Sequence, residues 1–182
     1  MQVERLGLPE IVLLTPRVFS DDRGWFSETY NERIVNEALG GPVRFVQDNH
    51  SRSGKGVLRG LHYQLPPHAQ GKLVRVIRGA VFDVAVDVRR SSHTFGHHIT
   101  VELSEENRQQ LWIPAGFAHG FLALSDGAEV LYKTTDVWAP ECERSIRWDD
   151  PTLDLPWPAG VATRLAPKDA GAPRLEAADL FP

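Results

Sequence analysis

Short β-type runs, bounded by turn residues, recur along this chain from end to end, and they constrain its fold more than any other feature. In GAVFDVAVDVRR, residues 79–90, Phe82, Val84, Val86 and Val88 share one face of a strand and Val81, Asp83, Ala85 and Asp87 the other. KLVRVIRG, HHITVEL, QQLWIP, GFLAL and EVLYKTTD read as further strands. Turn signals at Ser53-Gly54, Pro66-Pro67 and Ser125-Asp126-Gly127 separate such runs. Two segments read as helix. NERIVNEALGG has Asn31 as N-cap, an apolar set at Ile34, Val35, Ala38 and Leu39, and Gly40 as a stop; the other is a short stretch at Leu175–Ala178. The pattern predicts an all-β jelly-roll barrel with a few short peripheral helices.

The chain has 182 residues, enough for one domain with a sizeable core, and residues 1–182 read as a single domain. The tail from Asp150 is rich in proline and is expected to wrap the surface. A formal net charge of −4 provides no basic face for nucleic acid. Cys142 is the sole cysteine, which precludes an intrachain disulfide and fits a reducing compartment. MQVERLGLPE lacks the apolar core of a signal peptide, and no apolar run approaches the roughly 18 residues of a membrane span. The expected location is cytoplasmic.

A barrel of this size has an interior that can hold a ligand, so polar residues on inward strand faces are informative. Two histidines sit in apolar, glycine-marked settings: His62 in GVLRGLHYQ and His119 in PAGFAHGF. One such histidine alone is most often a satisfied core or surface residue; two in comparable settings shift the balance toward a functional role. Both stretches resemble the paired motifs of the cupin superfamily, with Gly56 six residues before His62, and Pro114, Gly116 and His119 in a Pro-x-Gly-x-x-His core. Metal-binding cupins carry a second histidine two residues after the first, where this chain has Gln64, and their following glutamate is missing from Pro66-Pro-His-Ala-Gln70. Two ligands make a poor site for a first-row metal, so no metal is expected.

Without a metal, a neutral imidazole is a good general base near neutral pH, suited to removing a proton beside a carbonyl. Inversion then needs a positive group at the enolate oxygen, which Lys72 can supply, and an acid on the far face, which Tyr132 can supply. FSDDRGWFSETY, FVQDNHSRSGKGVLRGLHYQ, GKLVRVIRGAVFDVAVDVRRSSHTFG, ENRQQLWIPAGFAHGFLAL, YKTTDVWAPECERSIRWDDP and LAPKD together resemble the dTDP-4-dehydrorhamnose 3,5-epimerase family over nearly the whole chain. The resemblance implies a jelly roll, a homodimer, and inversion at C3 and C5 of a dTDP-linked 4-keto-6-deoxy sugar without a cofactor. The product would feed rhamnose synthesis for cell-surface polysaccharide.

It further implies His62 as base, Asp169 as the carboxylate that orients it, Tyr132 as acid and Lys72 at the keto oxygen, with His119 as a polar wall of the sugar pocket. Arg23 and Arg59 would hold the pyrophosphate, and Phe26, Glu28, Gln47, Asn49, Glu143 and Lys168 would complete the binding set. Arg23 and Glu28 would come from the partner subunit. Trp138 stands where some members stack a tyrosine on the thymine.

A C3-only or C5-only epimerase of another dTDP-deoxysugar shares these motifs, and a non-catalytic sugar-binding cupin or a metal-dependent oxygenase is the rival of another class. Trp112, Trp148 and Trp157 are expected in packing roles, and His50, His68, His93, His97 and His98 at the surface. The Asp21-Asp22, Arg89-Arg90 and Asp149-Asp150 pairs are expected on solvated faces.

Overall fold

A computed structural model describes residues 1–160 and 163–182. Along the chain run β1 (Gln2–Arg5), β2 (Val12–Thr15), β3 (Val18–Asp21), β4 (Gly24–Ser27), α1 (Glu32–Leu39), β5 (Gln47–Ser53), β6 (Leu58–Gln64) and β7 (Lys72–Arg78). There follow β8 (Ala80–Asp87), β9 (His98–Ser104), β10 (Gln110–Ile113), β11 (Phe117–Ala123), β12 (Ala128–Thr134), β13 (Glu143–Ser145), α2 (Pro167–Ala170) and a 3-10 turn at Leu175–Ala177. Two antiparallel sheets form the jelly roll, ordered β1-β2-β10-β7-β12-β5 and β13-β6-β11-β8-β9, and β3 and β4 stand apart as a hairpin. No helix among the described residues is long and apolar enough to cross a membrane.

Between the sheets lies a core that includes Val74, Val76, Val81, Ala85, Leu103, Leu111, Ile113, Phe117, Phe121 and Val130. The two faces read from residues 79–90 are real, yet both are buried. Val81 and Ala85 point into the barrel, while Val84, Val86 and Val88 pack under Leu153, Leu175, Ala178 and Leu180 of the C-terminal segment. The proline-rich tail therefore covers one sheet. Over the other lies α1, whose Val35 packs with Val12, Leu14, Leu73 and Trp112. Its ends are those expected: the Asn31 side chain accepts from the Ile34 N–H, and Gly40 closes the helix at φ 80°.

Several expectations need correction. The segment expected as helix at Leu175–Ala178 is a single 3-10 turn, and α2 is an additional one-turn helix. Asp150 does not lie on a solvated face: it is 2% exposed and accepts from the Thr152 N–H and hydroxyl and from the Leu175 N–H, pinning the tail. Arg89 is likewise drawn in, bonding Asp87 through both Nε and a terminal nitrogen. Trp112 is a core residue, and Trp157 packs against both Phe82 and Trp148. His50, His93 and His97 are exposed, whereas His68 and His98 are half-buried.

Candidate active site

Strands β6 and β11 bring the two motif histidines side by side, since His119 and His62 are register partners. A register shift follows between His119 and Phe121, where the strands meet through Gly60 and Gly120. A Cβ at Gly60 would lie 2.5 Å from the Gly120 Cα, and Gly60 has φ 129°, so only glycine fits there. Just beyond, the stretch preceding α2 is laid against β6 by backbone bonds from Leu58 N–H to the Arg164 carbonyl and from Arg164 N–H to the Gly56 carbonyl. This fastening places Asp169, 2% exposed, beneath His62.

His62 Nε2 lies 2.6 Å from Asp169 Oδ1, and the Gly60 N–H points at Oδ2 from 3.5 Å. Burial would raise the Asp169 pKa, but the hydrogen bond and charge of His62, the Gly60 N–H and Lys168 outweigh it, and the carboxyl titrates below its usual range. His119 forms a second imidazole–carboxylate pair, with Nε2 at 3.0 and 2.9 Å from the two oxygens of fully buried Asp83. The sequence assigns Asp83 no role: it shares its strand face with a second aspartate, Asp87, and nothing local marks His119 as its partner.

From the facing sheet, Lys72 on β7 reaches across and donates from Nζ to the His62 carbonyl at 3.0 Å. Only 8% exposed, it is pulled down to a pKa of about 8 by burial, against the opposing charges of Asp83 and Glu143. Tyr132 on β12 faces the same space. Burial pushes its phenol up, with Arg59 lowering and Glu143 raising it, so the group stays protonated through the neutral range.

His62, Lys72, His119, Tyr132 and Asp169 line one cavity of about 570 Å³, whose walls also carry Gln47, Asn49, Arg59, Trp138, Glu143 and Lys168. Arg59 is aimed by bonds to Ser53 Oγ (3.0 Å) and the Arg52 carbonyl (3.3 Å), and Lys168 pairs with Glu143 at 3.1 Å. Arg23, Phe26 and Glu28 are not part of this wall; all three are exposed at the β3–β4 hairpin, Phe26 at 68%. No group of three His, Cys, Asp or Glu residues among those described is arranged to hold a metal ion.

A jelly-roll cavity with a carboxylate-paired imidazole, an ammonium group and a protonated phenol suits proton transfer beside a carbonyl, the chemistry of an epimerase-type isomerase. The dTDP-4-dehydrorhamnose 3,5-epimerase family model matches residues 5–177. A Pseudomonas aeruginosa dTDP-4-dehydrorhamnose 3,5-epimerase is 59% identical over the full length of both chains. The crystal structure of a Legionella pneumophila 3,5-epimerase in complex with dTDP-4-keto-L-rhamnose superposes with a TM-score of 0.95 at 49% identity, covering 99% of this chain and 97% of that one. A 3'-monoepimerase from Streptomyces bikiniensis, in complex with dTDP-quinovose, gives 0.89 at 34% identity, covering 94% and 86%. The chain belongs to the dTDP-4-dehydrorhamnose 3,5-epimerase family.

Proposed function

We propose that the chain inverts C3 and C5 of dTDP-4-dehydro-6-deoxy-D-glucose to give dTDP-4-dehydro-L-rhamnose, a step of dTDP-L-rhamnose biosynthesis. The observation that carries the mechanism is the pair at 2.6 Å between His62 of β6 and Asp169 of α2, in a cavity whose facing sheet supplies Lys72 and Tyr132. The ligand of the Legionella relative supports the substrate class.

With Nε2–H donated to Asp169, the second ring nitrogen of His62 holds the lone pair that takes the proton from the carbon beside the ketone. The electron pair left behind moves onto the C4 oxygen, where the Lys72 ammonium stabilises the enolate. Tyr132 then delivers its phenolic proton to the opposite face of the carbon. The step leaves His62 protonated and Tyr132 ionised, and exchange with solvent restores both. The substrate's own ketone is the electron sink, so the route calls on no cofactor. Both reacting carbons flank that ketone, and one base and one acid serve them in turn.

On the nucleotide side, Arg59 and Lys168 suit the pyrophosphate, Gln47, Asn49 and Glu143 suit the sugar and nucleoside hydroxyls, and the Trp138 indole suits the thymine face. Arg23, Phe26 and Glu28 complete the site from the second subunit of a homodimer; their exposure outside this chain's own cavity supports that reading. We also place the enzyme in the cytoplasm, where its one free, buried thiol, Cys142, is at home.

His62→Ala is expected to abolish solvent exchange at both carbons, while Tyr132→Phe impairs inversion and leaves residual exchange through His62. Proton NMR of the sugar checks both, and full activity in His62→Ala would overturn the assignment. A second reading, inversion at one carbon alone, is favoured by the similarity to the Streptomyces monoepimerase; the number of carbons that take up solvent hydrogen separates the two.

A further inference from the structure

Gln64 lies two residues beyond His62 on β6, is 3% exposed, and has both polar atoms of its amide engaged with backbone. Its Nε2 donates to the His68 carbonyl at 2.6 Å and the Val137 carbonyl at 3.1 Å, and its Oε1 accepts from the Ala139 N–H at 2.9 Å. Two of those three bonds flank Trp138. The Trp138 N–H itself donates to Gln47 Oε1 at 3.0 Å, and the preceding Asp136 carbonyl accepts from Gln70 Nε2 and Thr134 Oγ1, each at 2.8 Å. The indole is nonetheless 58% exposed and lines the cavity. An exposed aromatic on so firmly tied a backbone has a fixed direction before any ligand arrives.

We infer that Gln64 is a positioning residue for nucleotide binding: it locks the peptide on either side of Trp138 and so holds the indole as a preformed stacking platform. The inference rests on the proposed role of Trp138 against the nucleobase. A preformed platform spares the ligand the entropy of ordering a loop. Releasing the equivalent of roughly one residue's backbone corresponds to about a tenfold change in affinity. The amide is suited to this task because it donates twice and accepts at once, which neither a histidine nor an apolar side chain can do.

The test uses dTDP alone, titrated calorimetrically against the full-length protein, together with steady-state kinetics on the dTDP-4-keto sugar. Gln64→Met, similar in length but without donor or acceptor, is expected to weaken dTDP about tenfold and raise KM by a like factor, with kcat within about twofold of the native value. Gln64→Glu keeps an acceptor for the Ala139 N–H but sets its other oxygen against the His68 and Val137 carbonyls, so it should weaken dTDP at least as much as Gln64→Met; Gln64→Leu is the variant to measure should Gln64→Met fail to fold. Combined with Trp138→Ala, the Gln64 change should add nothing, because it acts through the indole. If Trp138→Ala leaves dTDP affinity unchanged, the stacking role itself fails. If Trp138→Ala weakens dTDP while the Gln64 variants bind normally, or if the two losses simply add, the stacking role stands and the positioning role is overturned.

Discussion

Lys72 is an ammonium group taken almost entirely out of water, and burial makes its charge sensitive to pH just above neutrality. With its pKa pulled down to about 8, it is charged below that pH and neutral above it. If the ammonium stabilises the enolate, kcat/KM must fall as pH rises through about 8. Lys72→Arg keeps a positive charge at all accessible pH values, and the alkaline limb should move upward even if the rate drops. Lys72→Met should lose about 10²–10³ in kcat, the usual cost of removing one donor at a developing oxyanion. A pH–rate profile from pH 6 to 10 for the three proteins checks this; an unmoved limb in Lys72→Arg would assign the titration to another group. At this scale much was legible in the sequence, because histidine, lysine and tyrosine on apolar strands announce themselves. Asp83 did not, since its partner His119 lies 36 residues away and only the β8–β11 pairing brings them together.

Elements explain what single residues cannot. Strand β5, QDNHSRS, has no apolar alternation to mark it as a strand. Its half-buried face, Gln47, Asn49 and Ser51, lines the cavity, so function has erased the usual signal. Likewise α2 is one turn long, too short for periodicity, and its place under β6 depends on backbone bonds to residues more than 100 positions earlier. The Gly60–Gly120 contact shows the reverse case, a visible glycine whose reason is tertiary. Gly60→Ala would put a methyl against the Gly120 Cα and the His119 carbonyl, at a φ that L-residues avoid. Strands β6 and β11 would be forced apart, at a cost of about 2 kcal/mol, and the Gly60 N–H would leave Asp169. The expected outcome is a Tm lowered by roughly 5 °C and a drop in kcat larger than any change in KM. A native Tm and rate would show that the close approach is dispensable.

For the whole molecule, the exposed aromatics deserve explanation. Phe19 and Phe26 are cross-strand partners, 50% and 68% exposed, on a hairpin that joins neither sheet, while Trp25 points from the hairpin's other face beneath Arg108. Such a patch asks for a cover, and a two-fold dimer in which each hairpin reaches the other cavity would provide it. The dimer model makes a quantitative claim. Arg23→Ala and His62→Ala chains are each impaired when alone, but after unfolding and refolding together half of the dimers are hybrids, and each hybrid rebuilds one intact site. About a quarter of the native activity should return. No recovery in the mixture would mean that each site is assembled within one chain. The strand pattern and the tail's wrapping role were readable from sequence because they follow from local periodicity and composition. The proposed sharing of sites would rest on a surface that no single chain completes.

Whether one base and one acid serve both carbons beside the ketone can be read by running the reaction in heavy water and following the product by NMR. Deuterium is expected at both C3 and C5 of a 4-keto sugar with the L-rhamno configuration. Deuterium at only one of these carbons, with the other centre uninverted, would contradict the double inversion.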